Sequence, residues 1–339
     1  MISLFRLSAA LSYILPLAVS LVKSPPDLVI SQDFPDPSVI NVDGVWYAFA
    51  TQNNLYHIQI ARSDDWNNWS VLDKDALGSL PSWVDQNTPA VWAPDIIERP
   101  DGTFVLYFSA TVSGTSHHCV GVATSKEIEG PYQADARPLA CPDPLGSGRS
   151  INPSPYFTSP GRGGAIDASG FKDVNGSLFV LFKVDGNSLG IADGQCNNGG
   201  DESQKVPTPI MVVPVQDDGF TPKSSAIQIL DRGPEDGPLI EAPSLYITSD
   251  GSYNLLYSSN CYLSASYSIK FASASSVTGS YTKIGNLAST NSSIGLIAPG
   301  GADAAADNQH VVFHGNLPQG GRGMYATTIT RSQKGTSFG

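Results

Sequence analysis

Three acidic residues stand in three separate frames of small residues: Asp36 in Phe34-Pro35-Asp36-Pro37-Ser38, Asp167 in Ile166-Asp167-Ala168-Ser169-Gly170-Phe171, and Glu241 in Ile240-Glu241-Ala242-Pro243-Ser244. Each carboxyl lies at or near the start of a strand-like run. Its neighbours are Pro, Ala or Ser, which crowd a side chain little. Two carboxyls across one pocket are the minimal equipment for hydrolysing a glycosidic bond. Each acid also has a plainer reading. Asp36 between two prolines can be a turn acid bonded to its own backbone, and Asp167 can cap a strand. Glu241 is harder to explain that way, because burying a glutamate without a partner is costly.

Acids so far apart in sequence meet only if separate units of a fold bring them together. Strand-like runs dominate: Val45–Ala50, Phe104–Ser109, Leu178–Lys183, Tyr253–Ser258 and His310–His314. They are rich in β-branched and aromatic residues, which suit a pleated, half-buried surface. The dipeptides Asp43-Gly44, Asp101-Gly102, Asn175-Gly176 and Asp250-Gly251 precede four of them and signal hairpins. No amphipathic helical period continues for three turns. Five units start near residues 34, 91, 165, 240 and 297. The pattern predicts an all-β chain folded as a five-bladed β-propeller. A β-sandwich is the alternative, but it leaves the recurring motif unexplained. In a propeller the innermost strands line a central channel, so Asp36, Asp167 and Glu241 converge on one mouth.

Net charge is −12 and charged residues make up only 15% of the 339-residue chain. Both argue against nucleic acid or an anionic membrane as partner and suit a neutral polysaccharide. The first 20 residues read as a secretory signal: Arg6, an apolar stretch from Leu7 to Val22, and small residues at Ala18-Val19-Ser20. A membrane anchor is the competing reading, although the stretch is short for a span. Residues 21–339 then form a single catalytic domain, expected to be monomeric. In a secreted chain, Cys119, Cys141, Cys196 and Cys261 read as disulfides. Four cysteines allow three pairings. Cys119 with Cys141 and Cys196 with Cys261 is favoured, because the first two bracket one hairpin unit. Asn68, Asn175 and Asn291 head sequons on expected surface turns.

The chain resembles glycoside hydrolase family 43, the five-bladed propeller arabinanases, arabinofuranosidases and β-xylosidases. The matching pieces are Phe34–Ser38, Val91-Trp92-Ala93-Pro94-Asp95, Ile166-Asp167-Ala168, Lys183-Val184-Asp185-Gly186-Asn187 and Glu241-Ala242-Pro243. They occur in order over nearly the whole mature chain. The resemblance implies a secreted, inverting glycosidase acting on arabinose-containing plant polysaccharide, with xylan oligosaccharides as the alternative substrate. A propeller that binds glycans without cleaving them is the alternative of another class. By the same resemblance Asp36 is the general base, Glu241 the general acid, and Asp167 the third acid that orients Glu241 and raises its pKa. An inverting pair should stand about 6.5 to 9.5 Å apart. Trp92 and Phe34, then Phe171 and Trp46, are candidate sugar platforms, with core packing as the competing reading for each. Arg322 resembles a final-blade arginine that reaches the pocket; a solvent-facing arginine is the alternative.

The implied chemistry needs no cofactor. Many arabinanases of the family carry a Gly-Pro-Gly-His frame whose histidine helps hold a channel metal. Here the stretch reads Ala298-Pro299-Gly300-Gly301-Ala302-Asp303, which leaves a structural calcium without that ligand. His310 and His314 follow, outside the frame. The departure weighs toward an exo-acting or short-substrate enzyme.

Overall fold

The computed structural model describes residues 25–141, 164–186, 194–332 and 335–338. The expected signal peptide and Asn187 lie outside them. After β1 (Asp27–Ile30), blade 1 holds β2 (Ser38–Val42), β3 (Val45–Ala50), β4 (Gln59–Ser63) and β5 (Ser70–Val71). Blade 2 holds β6 (Trp92–Glu98), β7 (Phe104–Thr111), β8 (His118–Ser125) and β9 (Gln133–Ala134). Blade 3 holds β10 (Ala165–Lys172), β11 (Leu178–Val184), β12 (Ile210–Val215) and β13 (Ile227–Leu230). Blade 4 holds β14 (Ile240–Ile247), β15 (Tyr253–Ser259), β16 (Ser268–Ala274) and β17 (Thr282–Ala288). Blade 5 holds β18 (Gly300–Ala304), β19 (His310–Asn316), β20 (Arg322–Ser332) and β21 (Gly335–Phe338), and β1 completes it by pairing antiparallel with β20. The N-terminal strand therefore closes the ring onto the last blade. The chain is a five-bladed β-propeller, and β2, β6, β10, β14 and β18 begin where the five units were expected.

The turn dipeptides work as their chemistry requires. Asp43 and Gly44 take φ of 52° and 87°, the type I′ geometry that joins Val42 to Val45 in register. In blades 2, 3 and 4 the loop is one residue longer, and its glycine takes the left-handed position: Gly102, Gly176 and Gly251. The preceding Asp101, Asn175 or Asp250 accepts the N–H two residues on, from Thr103, Ser177 or Ser252.

Instead of one core there are five, each between neighbouring blades. Strand β7 shows why. Val105 and Tyr107 pack toward blade 3, while Phe104, Leu106, Phe108 and Ala110 pack toward blade 1. Both faces of a middle strand are buried, so its sequence runs apolar without alternation. Both disulfides take the favoured pairing, Cys119–Cys141 and Cys196–Cys261. Asn68, Asn175 and Asn291 are all exposed.

Candidate active site

Each innermost strand carries one left-handed residue at its channel end: Asp36 (φ 52°), Ala93 (42°), Asp167 (55°), Ala242 (51°) and Gly301 (57°). In blades 2 to 5 the strand register shifts there, the mark of a β-bulge. Left-handed backbone is unfavourable for residues with a Cβ, and such strain concentrates at functional sites. Here the bulges re-aim side chains. Asp36 and Asp167 occupy the bulge position itself, and Glu241 and Trp92 occupy the position just before it. All five left-handed residues line one depression.

Asp36 is held on every side. Its Oδ2 accepts the Thr51 hydroxyl at 2.7 Å, and its Oδ1 accepts Arg322 Nη1 at 3.0 Å. Its backbone N–H donates to His314 Nδ1 at 3.1 Å. Burial alone pushes the carboxyl up, but the Arg322 guanidinium, and after it the Thr51 hydroxyl, outweigh it. Asp36 stays ionised, well below the usual carboxylate range.

The opposite wall is built around Glu241. Lys183 Nζ donates to its Oε2 at 3.0 Å and Tyr267 Oη donates to its Oε1 at 2.8 Å. Lys183, 1% exposed, also pairs with Asp185 at 3.3 Å. Burial opposes its charge, but Glu241, Asp185 and Asp167 together raise its pKa. Asp167 Oδ2 accepts the N–H of Ala242, the residue after Glu241, at 3.0 Å. Asp167 is pushed up to about 8, first by burial and then by the charge of Glu241. A protonated carboxyl and an ionised one thus face the same depression.

Below the bulges lie Ser38, Asp95, Ser169 and Asp303, with Ser244 bonded to Asp303. Asp303 accepts Val39 N–H and Ser244 Oγ–H, each at 2.8 Å, and Asp95 accepts Gly170 N–H at 2.5 Å. These bonds lace blade 5 to blades 1 and 4, and blade 2 to blade 3. Burial raises both acids, Asp303 to about 6 and Asp95, which also feels Asp303, well above its usual value.

Asp36, Asp167, Glu241, Trp92 and Arg322 come together at the channel mouth. Phe34 and Phe171 do not. Phe34 is fully buried between blades 5 and 1, and Phe171 is buried between blades 3 and 4 against Tyr253. Neither can stack on a sugar, because packing between blades claims both rings. Trp46 lies at the far end of its strand against Trp66 and His310. Trp92 is half-buried and stacks on His118, with centroids 4.0 Å apart. Five residues at the site carried no role from sequence: Thr51, Lys183, Tyr267, His314 and Tyr262. The Tyr262 ring is 44% exposed, with the Arg322 guanidinium 5.6 Å over it.

The histidine of the family's metal frame has no counterpart at Gly301. A Cβ on Gly301 would lie 2.7 Å from His314 Nδ1, so the imidazole fills the space a larger residue needs. Among the described residues no three His, Cys, Asp or Glu side chains are grouped to hold a metal ion.

Residues 26–334 match the family description "Glycosyl hydrolases family 43". The extracellular endo-α-(1→5)-L-arabinanase of Thermotoga petrophila is 29% identical over 161 residues, covering 43% of this chain and 33% of that protein. The chain thus spans only a third of that relative's length. The extracellular endo-α-(1→5)-L-arabinanase 1 of Bacillus subtilis is 25% identical over 253 residues, covering 73% of this chain and 66% of that protein. Among solved structures, a thermostable family-43 glycoside hydrolase superposes with a TM-score of 0.71 at 21% identity, over 90% of this chain and 92% of that one. The native arabinanase of Bacillus subtilis superposes with a TM-score of 0.66 at 21% identity, over 91% and 98%. At such identity the superpositions speak for the fold alone. The match over nearly the whole described chain carries more: the protein belongs to glycosyl hydrolases family 43.

Proposed function

We propose that the protein is an inverting glycoside hydrolase that cleaves arabinan. The observation that carries this reading is the contrast across the depression, an ionised Asp36 facing Asp167 and Glu241. Asp36 takes a proton from a water molecule, which attacks the anomeric carbon. The one proton that Asp167 and Glu241 share is on Glu241 when it acts: Glu241 gives it to the departing glycosidic oxygen, and the C–O bond breaks with inversion. Lys183 and Tyr267 fix the Glu241 side chain, and Asp167 fixes the backbone beside it. Trp92 and Tyr262 are the platforms for sugar rings, in place of Phe34 and Phe171. The relatives' names favour arabinan over xylan. The word "extracellular" in those names and the two disulfides support secretion, and the three exposed sequons are then candidate glycan sites.

The test is hydrolysis of aryl α-L-arabinofuranoside, aryl β-D-xyloside and debranched arabinan, with Asp36→Asn alongside. Arabinoside or arabinan turnover that vanishes in the variant is the expected result. Turnover of the xyloside alone would replace arabinose by xylose. Silence on all three, with binding to a plant glycan retained, would overturn hydrolysis.

A further inference from the structure

The five blades repeat one hydrogen bond, and the repeat assigns a role to His314. At the end of the second strand of each blade, one residue lies opposite the position just before the left-handed residue. These residues are Thr51, Ser109, Lys183, Ser258 and His314. In four blades its side chain accepts the N–H of the next blade's left-handed residue. Thr51 accepts Ala93 N–H at 2.9 Å, Ser109 accepts Asp167 N–H at 3.0 Å, and Ser258 accepts Gly301 N–H at 2.9 Å. His314 accepts Asp36 N–H at 3.1 Å and so closes the series from blade 5 back to blade 1. Blade 3 is the exception. Lysine cannot accept, so Lys183 turns to Glu241, and Asp167 supplies the acceptor for Ala242.

We propose that His314 is a positioning residue for the base: as a neutral imidazole protonated on Nε2, it accepts the Asp36 N–H through Nδ1 and fixes the left-handed backbone that aims the carboxylate. The inference rests on Asp36 being the base. Nδ1 also lies 3.3 Å from Asp36 Oδ1, and a protonated Nδ1 would donate there instead. The backbone N–H decides between the two. It is an obligatory donor, it has an acceptor in every other blade, and Oδ1 already has Arg322. The assignment leaves Nε2–H without a protein partner although His314 is fully buried. A buried unpaired donor is destabilising, so stability alone does not explain an imidazole here.

Its seat is built for it. The ring stacks on Tyr267 at 10°, with centroids 5.9 Å apart. A Cβ on Gly300 would lie 1.9 Å from Tyr267 Cε1, and one on Gly301 2.7 Å from His314 Nδ1. The two glycines admit a stack whose one ring holds the base and whose other ring holds Glu241.

Serine reaches the acceptor position from Ser109 and Ser258, which makes His314→Ser the informative variant. His314→Ala should lower kcat on aryl α-L-arabinofuranoside by about 10²-fold, the scale of a misplaced catalytic group, with KM little changed. His314→Ser should restore most of that loss although it opens the same cavity, and Gly301→Ala should resemble His314→Ala. Nitrogen-15 NMR of the ring, assigned with His314→Ser, should show Nδ1 unprotonated and Nε2 protonated at neutral pH. Equal losses in the Ala and Ser variants, an unimpaired Ala variant, or a proton on Nδ1 would each overturn the assignment. If the wild-type protein cleaves no glycoside, the reading of function fails, and the ring spectrum still decides how His314 meets Asp36.

Discussion

The charge state of each carboxyl follows from what touches it, and this makes the pH profile a test of the site. Arg322 holds Asp36 far below its usual range, so no acid limb from the base should appear above about pH 4, near an ordinary carboxylate. Arg322→Ala removes the largest lowering influence. The Asp36 pKa then rises, and kcat/KM should fall on the acid side in that variant only. An acid limb shared equally by wild type and variant would contradict the pairing. Asp36→Asn itself should cost about 10²- to 10⁴-fold in kcat with the fold intact. On the alkaline side Asp167 decides. Raising the pH through about 8 removes the proton that the Asp167–Glu241 pair holds, leaves Glu241 none to give, and should lower kcat/KM. The same shift has a stability consequence. A carboxyl whose folded pKa lies above its unfolded value stabilises fully below the unfolded value, and that contribution is lost as pH rises through the folded one. Asp167→Asn should therefore raise the melting temperature relative to wild type above pH 8 while lowering activity. The convergence of the three acids was legible because carboxyls framed by Pro, Ala and Ser have few structural uses. Their partners were not: Thr51, Lys183, Tyr267 and His314 lie on second strands or loops, and only the strand register brings them to the channel.

The turns were the most legible elements, since Asp-Gly and Asn-Gly demand left-handed backbone that few other pairs supply. The bulges were not legible. Ala93 and Ala242 take left-handed φ without being Gly or Asn, because neighbouring blades hold them there. A regularity is nonetheless visible once the register is known: Phe108-Ser109, Phe182-Lys183, Tyr257-Ser258 and Phe313-His314 each end an apolar run with an aromatic and then a polar side chain. Phe34 and Phe171 misled because an aromatic beside an acid can face either the channel or the neighbouring blade, and sequence does not say which. Among the connections, Cys196–Cys261 ties the loop that follows β11 to the end of β15, 65 residues on. Cys261 immediately precedes Tyr262, whose ring stands against Arg322. Replacing both cysteines by serine should cost about 2 to 5 kcal/mol of stability. It should also raise KM more than it lowers kcat, since it frees Tyr262 and leaves Asp36 and Glu241 in their blades. A melting temperature unchanged in the double variant would mean the bond constrains nothing.

The whole molecule depends on closing a circle. Four of the junctions between blades follow the chain in order. The fifth, between blades 5 and 1, carries the proposed base: Asp36 comes from blade 1, and Arg322 and His314 come from blade 5. That junction is reinforced by β1, which pairs Asp27 with Ala326, Leu28 with Tyr325 and Ile30 with Met324. Ile30 also enters the core shared by the two blades. Sequence gave no notice of this strand, because Asp27–Ile30 is only 4 residues long and lies outside the repeating unit. Its weight comes from position. Without it, blade 5 loses its outer strand and exposes an unpaired edge on β20, the strand that begins with Arg322. A chain starting at Ser31 should therefore melt at lower temperature, with proteolysis beginning in blade 5. Its kcat should fall further than its KM rises, because the base loses Arg322 and His314 together while Trp92 keeps its place in blade 2. Adding the missing segment back as a peptide should restore part of the activity, since the groove it fills keeps its hydrogen-bonding edge. Full activity and an unchanged melting temperature in the truncated chain would show that the five cores alone hold the ring closed.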